Sequence, residues 1–288
     1  MSKHDATRNA PRTPLTRLAA AALSLGWLCL ALPAQAQDCT LAGWTESQPQ
    51  AVNIGSPPTI ARYSGQCAIQ VTSPSRYLYV NHPNPEASYY ARFYYYTGSR
   101  TGGPADIFQG RDGSTIPIRV EHDASASSNL LRFSTQGSAT QRSATVQANK
   151  WYAIELAWTT GAGSGALNIT VTGAGVSTPL SISPITGLNN SSQRIRTTRM
   201  GWITAGGSGA INFDAFEARR DGPPGRLCRG DANGNGAITA SDGTIITNEF
   251  VNGTLALGQP DCNENGVVSG ADATCAVNRF VNEGGICP

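Results

Sequence analysis

The chain has 288 residues, of which 40% are hydrophobic and 14% charged, and its formal net charge is +2. That balance supports a folded core and excludes a disordered polyelectrolyte, and it supplies no basic run for a nucleic acid or an anionic membrane. With 32 glycines and 17 prolines, the chain is rich in turn residues, which favours short strands over long helices.

Residues 1–36 read as an export leader. Lys3, Arg8, Arg12 and Arg17 give a charged start, an apolar run fills 18–32, and Pro33-Ala34-Gln35-Ala36 supplies a small-residue cleavage site. Cleavage after Ala36 is expected, leaving Gln37 as the first mature residue. The apolar run falls short of the about 20 residues a spanning helix needs, so the expectation is export to the periplasm, the cell surface or the medium, with no membrane span.

Removing the leader takes Cys29 with it and leaves Cys39 and Cys67 early in the chain and Cys228, Cys262, Cys275 and Cys287 at its end. Even numbers on both sides predict disulfides made within each segment in an oxidising compartment. Cys39 is then expected to pair with Cys67. The last four cysteines allow three connectivities. Cys228–Cys287 is preferred among the pairs because it would clasp the two ends of the terminal segment.

Residues 37–222 show short runs of aromatic and β-branched residues separated by Gly, Ser, Asn and Pro. Candidate strands fall at 68–72, 76–80, 89–97, 106–109, 116–121, 130–134, 152–159, 167–172, 199–204 and 211–219. Within 152–159, Tyr152, Ile154, Leu156 and Trp158 share one face while Ala153, Glu155 and Ala157 share the other, the period of a half-buried strand. So many strands in one stretch predict a mainly β, two-sheet sandwich. The runs YYARFYYY (89–96), NKWYAIEL (149–156) and INFDAFEAR (211–219) are similar to strands of the concanavalin-A-like, or laminin-G-like, jelly roll of secreted bacterial proteins. The resemblance implies that fold and names no activity. Asp221-Gly222-Pro223-Pro224-Gly225 reads as a short stiff hinge. It divides a β-sandwich unit, 37–222, expected to be soluble by itself, from a terminal module, 223–288.

The terminal module is written twice. Asp231-Ala232-Asn233-Gly234-Asn235-Gly236-Ala237-Ile238-Thr239-Ala240-Ser241-Asp242 is repeated thirty residues on as Asp261-Cys262-Asn263-Glu264-Asn265-Gly266-Val267-Val268-Ser269-Gly270-Ala271-Asp272. Thr244, Asn248, Phe250, Val251 and Asn252 recur as Thr274, Asn278, Phe280, Val281 and Asn282, so a loop-plus-helix unit has been duplicated. Ca²⁺ takes six to eight oxygens, which a twelve-residue loop supplies from positions 1, 3, 5, 7, 9 and 12. Those are Asp231, Asn233, Asn235, the Ala237 carbonyl, Thr239 and Asp242, then Asp261, Asn263, Asn265, the Val267 carbonyl, Ser269 and Asp272. Two calcium ions are therefore expected, bound with the modest affinity of extracellular sites because Asn stands where Asp would add charge. Ile238 and Val268 are expected to pack the loops on each other and exchange backbone hydrogen bonds. Ile245, Ile246, Phe250 and Val251 are expected to face Val277, Phe280 and Val281 as the apolar contact between two helices.

Two such loops, each followed by one helix and closed by Asp, resemble the dockerin family over 228–288. The resemblance implies a helical module that binds two calcium ions and docks on a cohesin partner. The best-known form reads its partner through a Ser/Thr pair at loop positions 10 and 11. This chain has Ala240-Ser241 and Gly270-Ala271 there, a departure at the recognition positions that leaves the calcium ligands intact.

A search for catalytic groups returns little. Glu121-His122-Asp123-Ala124-Ser125-Ala126 matches the first two acids of the E-x-D-x-x-E strand of related glucanases and puts Ala126 where the third belongs. Retaining glycoside hydrolysis needs two carboxyls about one bond, so that mechanism fails. Outside the leader the histidines are His82 and His122, and His122 points away from its acidic neighbours on an alternating strand. Tyr89, Tyr90, Tyr94, Tyr95 and Tyr96 read as packing residues with wet hydroxyls, and Asp214 and Glu217 as structural. No G-x-S-x-G or H-E-x-x-H occurs. The expected function is that of an exported, non-catalytic calcium-binding protein: a sandwich for carbohydrate or surface recognition, with a tail for structure or docking. The alternative is a polysaccharide hydrolase or lyase carrying the same tail, and a third reading is a cell-surface structural protein. The expected partners are a glycan and a cohesin-like protein.

Overall fold

A computed structural model describes residues 39–41, 43–175 and 178–287; the leader and the Gln37 start lie outside the described residues. Its strands are β1 (Thr45–Glu46), β2 (Asn53–Gly55), β3 (Ala68–Val71), β4 (Arg76–Glu86), β5 (Ser88–Tyr96), β6 (Gly102–Asp112) and β7 (Thr115–Ala124). There follow β8 (Leu130–Ser134), β9 (Arg142–Thr145), β10 (Trp151–Thr159), β11 (Ala162–Gly173), β12 (Ile185–Asn189), β13 (Ile195–Trp202) and β14 (Ile211–Arg219). Two helices close the chain, α1 (Ala240–Asn252) and α2 (Gly270–Glu283).

The strands form two seven-stranded sheets, ordered β1-β4-β13-β6-β7-β8-β9 and β12-β11-β10-β5-β14-β3-β2. All the neighbouring strands run antiparallel. Each of the ten expected strands is present. The period of two explains why. Tyr152, Ile154, Leu156 and Trp158 of β10 enter the core beside Tyr89, Ala91, Phe93 and Tyr95 of β5, against Leu78, Phe108, Val120, Phe133 and Met200 of the other sheet. A one-residue slip would turn all these rings to the outside.

The outer face of β5 and β10 is also buried. Tyr94, Trp151 and Ala153 join Tyr63, from the loop before β3, in a second aromatic cluster that Leu227 of the terminal segment borders. Tyr63 stacks on Tyr94 with ring centroids 3.6 Å apart. The terminal module thus lies on the outer face of the second sheet. Its own core is small and made of Cys228, Ala232, Ile238, Ile246, Ala256, Cys262 and Ala276.

The disulfides are Cys39–Cys67, Cys228–Cys287 and Cys262–Cys275. The first two pairs are those expected, and the second clasps the ends of the module, whose Cα atoms lie 5.0 Å apart. Such bonds form and persist in an oxidising compartment. Among the described residues no helix is long and apolar enough to cross a membrane.

Candidate functional site

The two repeated loops fold alike. In the first, Asp231 Oδ1 accepts from the Asn235 amide at 3.1 Å and Oδ2 from Gly236 at 2.7 Å. In the second, Asp261 Oδ1 accepts from Asn265 at 3.0 Å and Oδ2 from Gly266 at 2.6 Å. The Asn233 and Asn263 side chains accept from the amides two residues on, at 2.9 and 3.1 Å, and Asn235 and Asn265 do the same to Ala237 and Val267 at 2.9 Å each. These are the local turns that short amides favour. Position 6 needs a left-handed backbone, and Gly236 and Gly266 supply it with φ of 86° each.

Each loop closes on the helix that follows. Asp242 accepts from the Asn233 amide at 3.1 Å through Oδ1, and from the Thr239 amide at 2.8 Å and hydroxyl at 2.9 Å through Oδ2. Asp272 repeats this with Asn263 at 3.0 Å and with the Ser269 amide and hydroxyl at 2.9 and 3.0 Å. Position 12 is therefore also the third residue of its helix, where a carboxylate returning to the cap stabilises the helix start.

The donor set suits a hard cation. Asp231, Asp242, Asp261 and Asp272 are all buried, and each loop brings one pair of them together around amide, hydroxyl and main-chain oxygens. Burial, and then the Asp272 carboxylate beside it, push Asp261 well above the usual carboxylate range. Among the described residues no group of three or more His, Cys, Asp or Glu side chains could hold a metal. A cation here would thus depend on the Asn and carbonyl oxygens for the rest of its shell, a set that suits calcium better than zinc.

Two details differ from expectation. The Ile238 amide donates to the Gly285 carbonyl at 3.0 Å, so it is tied to the chain end instead of exchanging bonds with Val268. The helices also turn a different face inward. Buried positions are Asp242, Gly243, Ile246 and Glu249 in α1 and Asp272, Ala276 and Arg279 in α2. Position 12 must point into its loop, which fixes the helical phase at 242, 246, 249 and 272, 276, 279. Phe250 and Phe280 lie one residue off that stripe and are 56% and 41% exposed, with Val251, Val277 and Val281 exposed beside them.

The charged residues on that stripe fasten the module. Glu249 pairs with Arg62 of the sandwich at 2.5 Å, both buried. Arg279 donates to the Arg229 carbonyl at 2.5 Å. Position 4 of the second loop reaches furthest. Glu264 is wholly buried and accepts from the Tyr63 hydroxyl at 2.9 Å, from the Gly175 amide at 2.9 Å and from Arg226. Its own carbonyl accepts from the Trp151 amide at 3.0 Å.

The sandwich residues considered as catalytic candidates are held in structural roles. His122 lies between the Tyr95 hydroxyl, 2.7 Å from Nδ1, and Asn129 Oδ1, 2.7 Å from Nε2, and burial lowers it to about 4. Asp214 accepts from the Tyr63 and Ser64 amides at 2.6 and 2.9 Å, and Glu217 pairs with Arg92 at 3.0 Å. The buried tyrosine hydroxyls are not wet. Tyr89 meets Thr198 at 2.6 Å and Tyr94 accepts from the Leu227 amide at 2.7 Å, and desolvation raises each phenol to about 12.

No family model matches the chain, and no curated protein does. Among solved structures the chain is similar to "Cellulose induced protein, Cip1", at 14% identity and a TM-score of 0.43, over 66% of this chain and 92% of that one. It is similar to the alginate lyase from Klebsiella pneumoniae at 9% identity and a TM-score of 0.41, over 53% and 81%. A GH131 β-glucanase catalytic domain from Podospora anserina gives 13% identity and a TM-score of 0.36, over 59% and 79%.

Proposed function

We propose that this chain is an exported, calcium-stapled recognition protein. Its sandwich binds carbohydrate, and its dockerin-like tail holds two calcium ions that keep the tail folded on the sandwich. The observation that carries the reading is the matched pair of loops. Twelve residues at a fixed spacing adopt one hydrogen-bond pattern twice, each around two buried carboxylates. Asp231, Asn233, Asn235, Thr239 and Asp242, with the Ala237 carbonyl, would hold one ion. Asp261, Asn263, Asn265, Ser269 and Asp272, with the Val267 carbonyl, would hold the other. Bound there, calcium supplies charge that two buried carboxylates otherwise lack. The tail's apolar core is small, so metals and disulfides are the usual supplements.

The exposed Phe250, Val251, Val277, Phe280 and Val281 support a second role for the tail, as the surface that a cohesin-like partner covers. Carbohydrate recognition falls to the sandwich, and to its first sheet, because the tail covers the outer face of the second.

Thermal melting of the intact chain in calcium and in chelator tests the calcium part. Sites with dissociation constants of about 10⁻⁴–10⁻³ M give roughly 1.4–2.7 kcal/mol each at about 10 mM calcium. The melting temperature should therefore rise by several degrees, and Asp231→Ala combined with Asp261→Ala should abolish the rise. Identical melting of the wild type in both buffers would sink this reading.

A further inference from the structure

On the outer face of the first sheet, a row of side chains crosses five strands. Register pairs Tyr79 of β4 with Arg199 of β13, Arg199 with Gln109 of β6, Gln109 with Arg119 of β7, and Arg119 with Ser134 of β8. Strands lie about 4.8 Å apart, so the row is about 19 Å long, the reach of a short oligosaccharide. Beside it, Asp106 faces Glu121, Glu121 faces Arg132, and Thr197 faces Arg111.

The row is internally organised. Gln109 is buried and donates to the buried Asp106; Arg111 donates to Gln109 Oε1 at 2.7 Å; and Arg119 lies 3.6 Å from Asp106. A hydrogen-bonded chain of this kind fixes the side chains before any ligand arrives. Arg199 is the exception. Its guanidinium carbon sits 4.8 Å from the centre of the Tyr77 ring. Its Nε is shielded from solvent, so the donors it can offer are its two terminal nitrogens, on a half-buried side chain. A guanidinium with donors to spare, held on an aromatic face, is a ready receptor for a carboxylate.

We infer that this face binds a glycan bearing carboxylates, with Arg199 and Arg119 taking the uronate groups and Tyr77 and Tyr79 flanking the sugar rings. The mixture of groups selects the ligand class. Arg111, Arg119 and Arg199 donate, whereas Glu121, Ser134 and the Asn81–Thr197 pair, bonded at 2.9 Å, accept as well. Sugar hydroxyls need both kinds of partner. A nucleic-acid backbone presents phosphates, which need donors only, and would leave the acceptors of this face without hydroxyl partners. The inference rests on the proposal that the sandwich recognises carbohydrate, and it adds the charge of the ligand and the face that holds it.

The test is calorimetry on the intact protein with a polyuronate oligosaccharide, its methyl ester, a sulfated glycan, a neutral glucan and a single-stranded oligonucleotide. The polyuronate should bind, and the methyl ester should bind at least roughly tenfold more weakly, the scale of a lost charge-assisted pair. Arg199→Ala should weaken polyuronate binding by a similar factor. Arg199→Lys should recover part of it, and Arg219→Ala, on the second sheet, should leave it unchanged. A melting curve matching the wild type verifies that each variant is folded. If Arg199→Ala does not fold, Arg119→Ala is read in its place. Preference for the sulfated glycan would overturn the carboxylate assignment. Equal binding of polyuronate and its ester would overturn the inference while leaving carbohydrate recognition standing. Binding to none of the glycans, or to the oligonucleotide alone, would remove both.

Discussion

The Tyr63 hydroxyl donates to Glu264 Oε1 at 2.9 Å across 201 positions of sequence. That bond joins a sandwich loop to position 4 of the second repeat, and three further bonds to Glu264 surround it. A carboxylate buried among such partners costs several kcal/mol to remove, because its partners stay desolvated.

Glu264→Ala should therefore lower the stability of the intact chain by about 3–5 kcal/mol. Glu283→Ala, which deletes the exposed partner of Arg279, should cost about 0–1 kcal/mol. Urea denaturation of both variants in saturating calcium measures the difference. Equal midpoints would mean that Glu264 is not an anchor.

A fragment ending at residue 222 should expose Tyr63, Tyr94 and Trp151, which the tail covers in the whole chain. It should bind a hydrophobic dye and self-associate, as large uncovered apolar patches do. The hinge alone had suggested a self-sufficient sandwich. Sedimentation of the fragment as a dye-free monomer with the parent's melting temperature would show that the aromatic cluster needs no cover.

The disulfides should rank by the loops they close. Cys228–Cys287 spans 59 residues and Cys262–Cys275 spans 13. Chain entropy then gives about 4 kcal/mol for the first and about 3 kcal/mol for the second. Replacing each pair by serines and comparing urea midpoints checks the order; a costlier loss of the short bridge would point to packing around Cys262 instead.

His122 should make the fold acid-sensitive. Its folded value, about 4, lies below the ordinary 6.5 because burial disfavours the imidazolium. The unfolded chain therefore binds the extra proton first. Stability from this site is complete above about pH 6.5 and falls by roughly 3 kcal/mol as pH drops toward 4. His122→Gln should flatten that part of the profile. Parallel pH profiles for the two proteins would place the acid sensitivity elsewhere.

The long strands were legible because each carries its alternation within itself, as 152–159 does. The four strands that went unseen are short, and β9 (RSAT) and β12 (ITGLN) are written in residues that serve equally well in turns. The repetition of the two loops was legible because their turns are made locally, by side chains bonding amides a few residues on. The helix faces were not, since Phe250 and Phe280 look like core and Glu249 and Arg279 like surface. Only the inward demand of Asp242 and Asp272 reverses that order. The row from Tyr79 to Ser134 was invisible for another reason. Its members come from five strands, and each looks like an ordinary polar position until register aligns them.

The close approach of Gly266 to Tyr96 makes the two copies of the repeat unequal. A Cβ at Gly236 would meet nothing, whereas one at Gly266 would fall 2.5 Å from the Tyr96 ring. Position 4 sharpens the contrast: Gly234 takes its left-handed backbone freely, while Glu264 adopts φ of 57° against its preference. The copies are thus no longer interchangeable parts. Transplanting the first loop into the second position would preserve every oxygen side chain of the repeated turn and still unfasten the tail, because the anchor would be gone. The reverse transplant would leave an acid with no socket to enter. Duplication made two loops of one design, and contact with the sandwich has given one of them a second occupation.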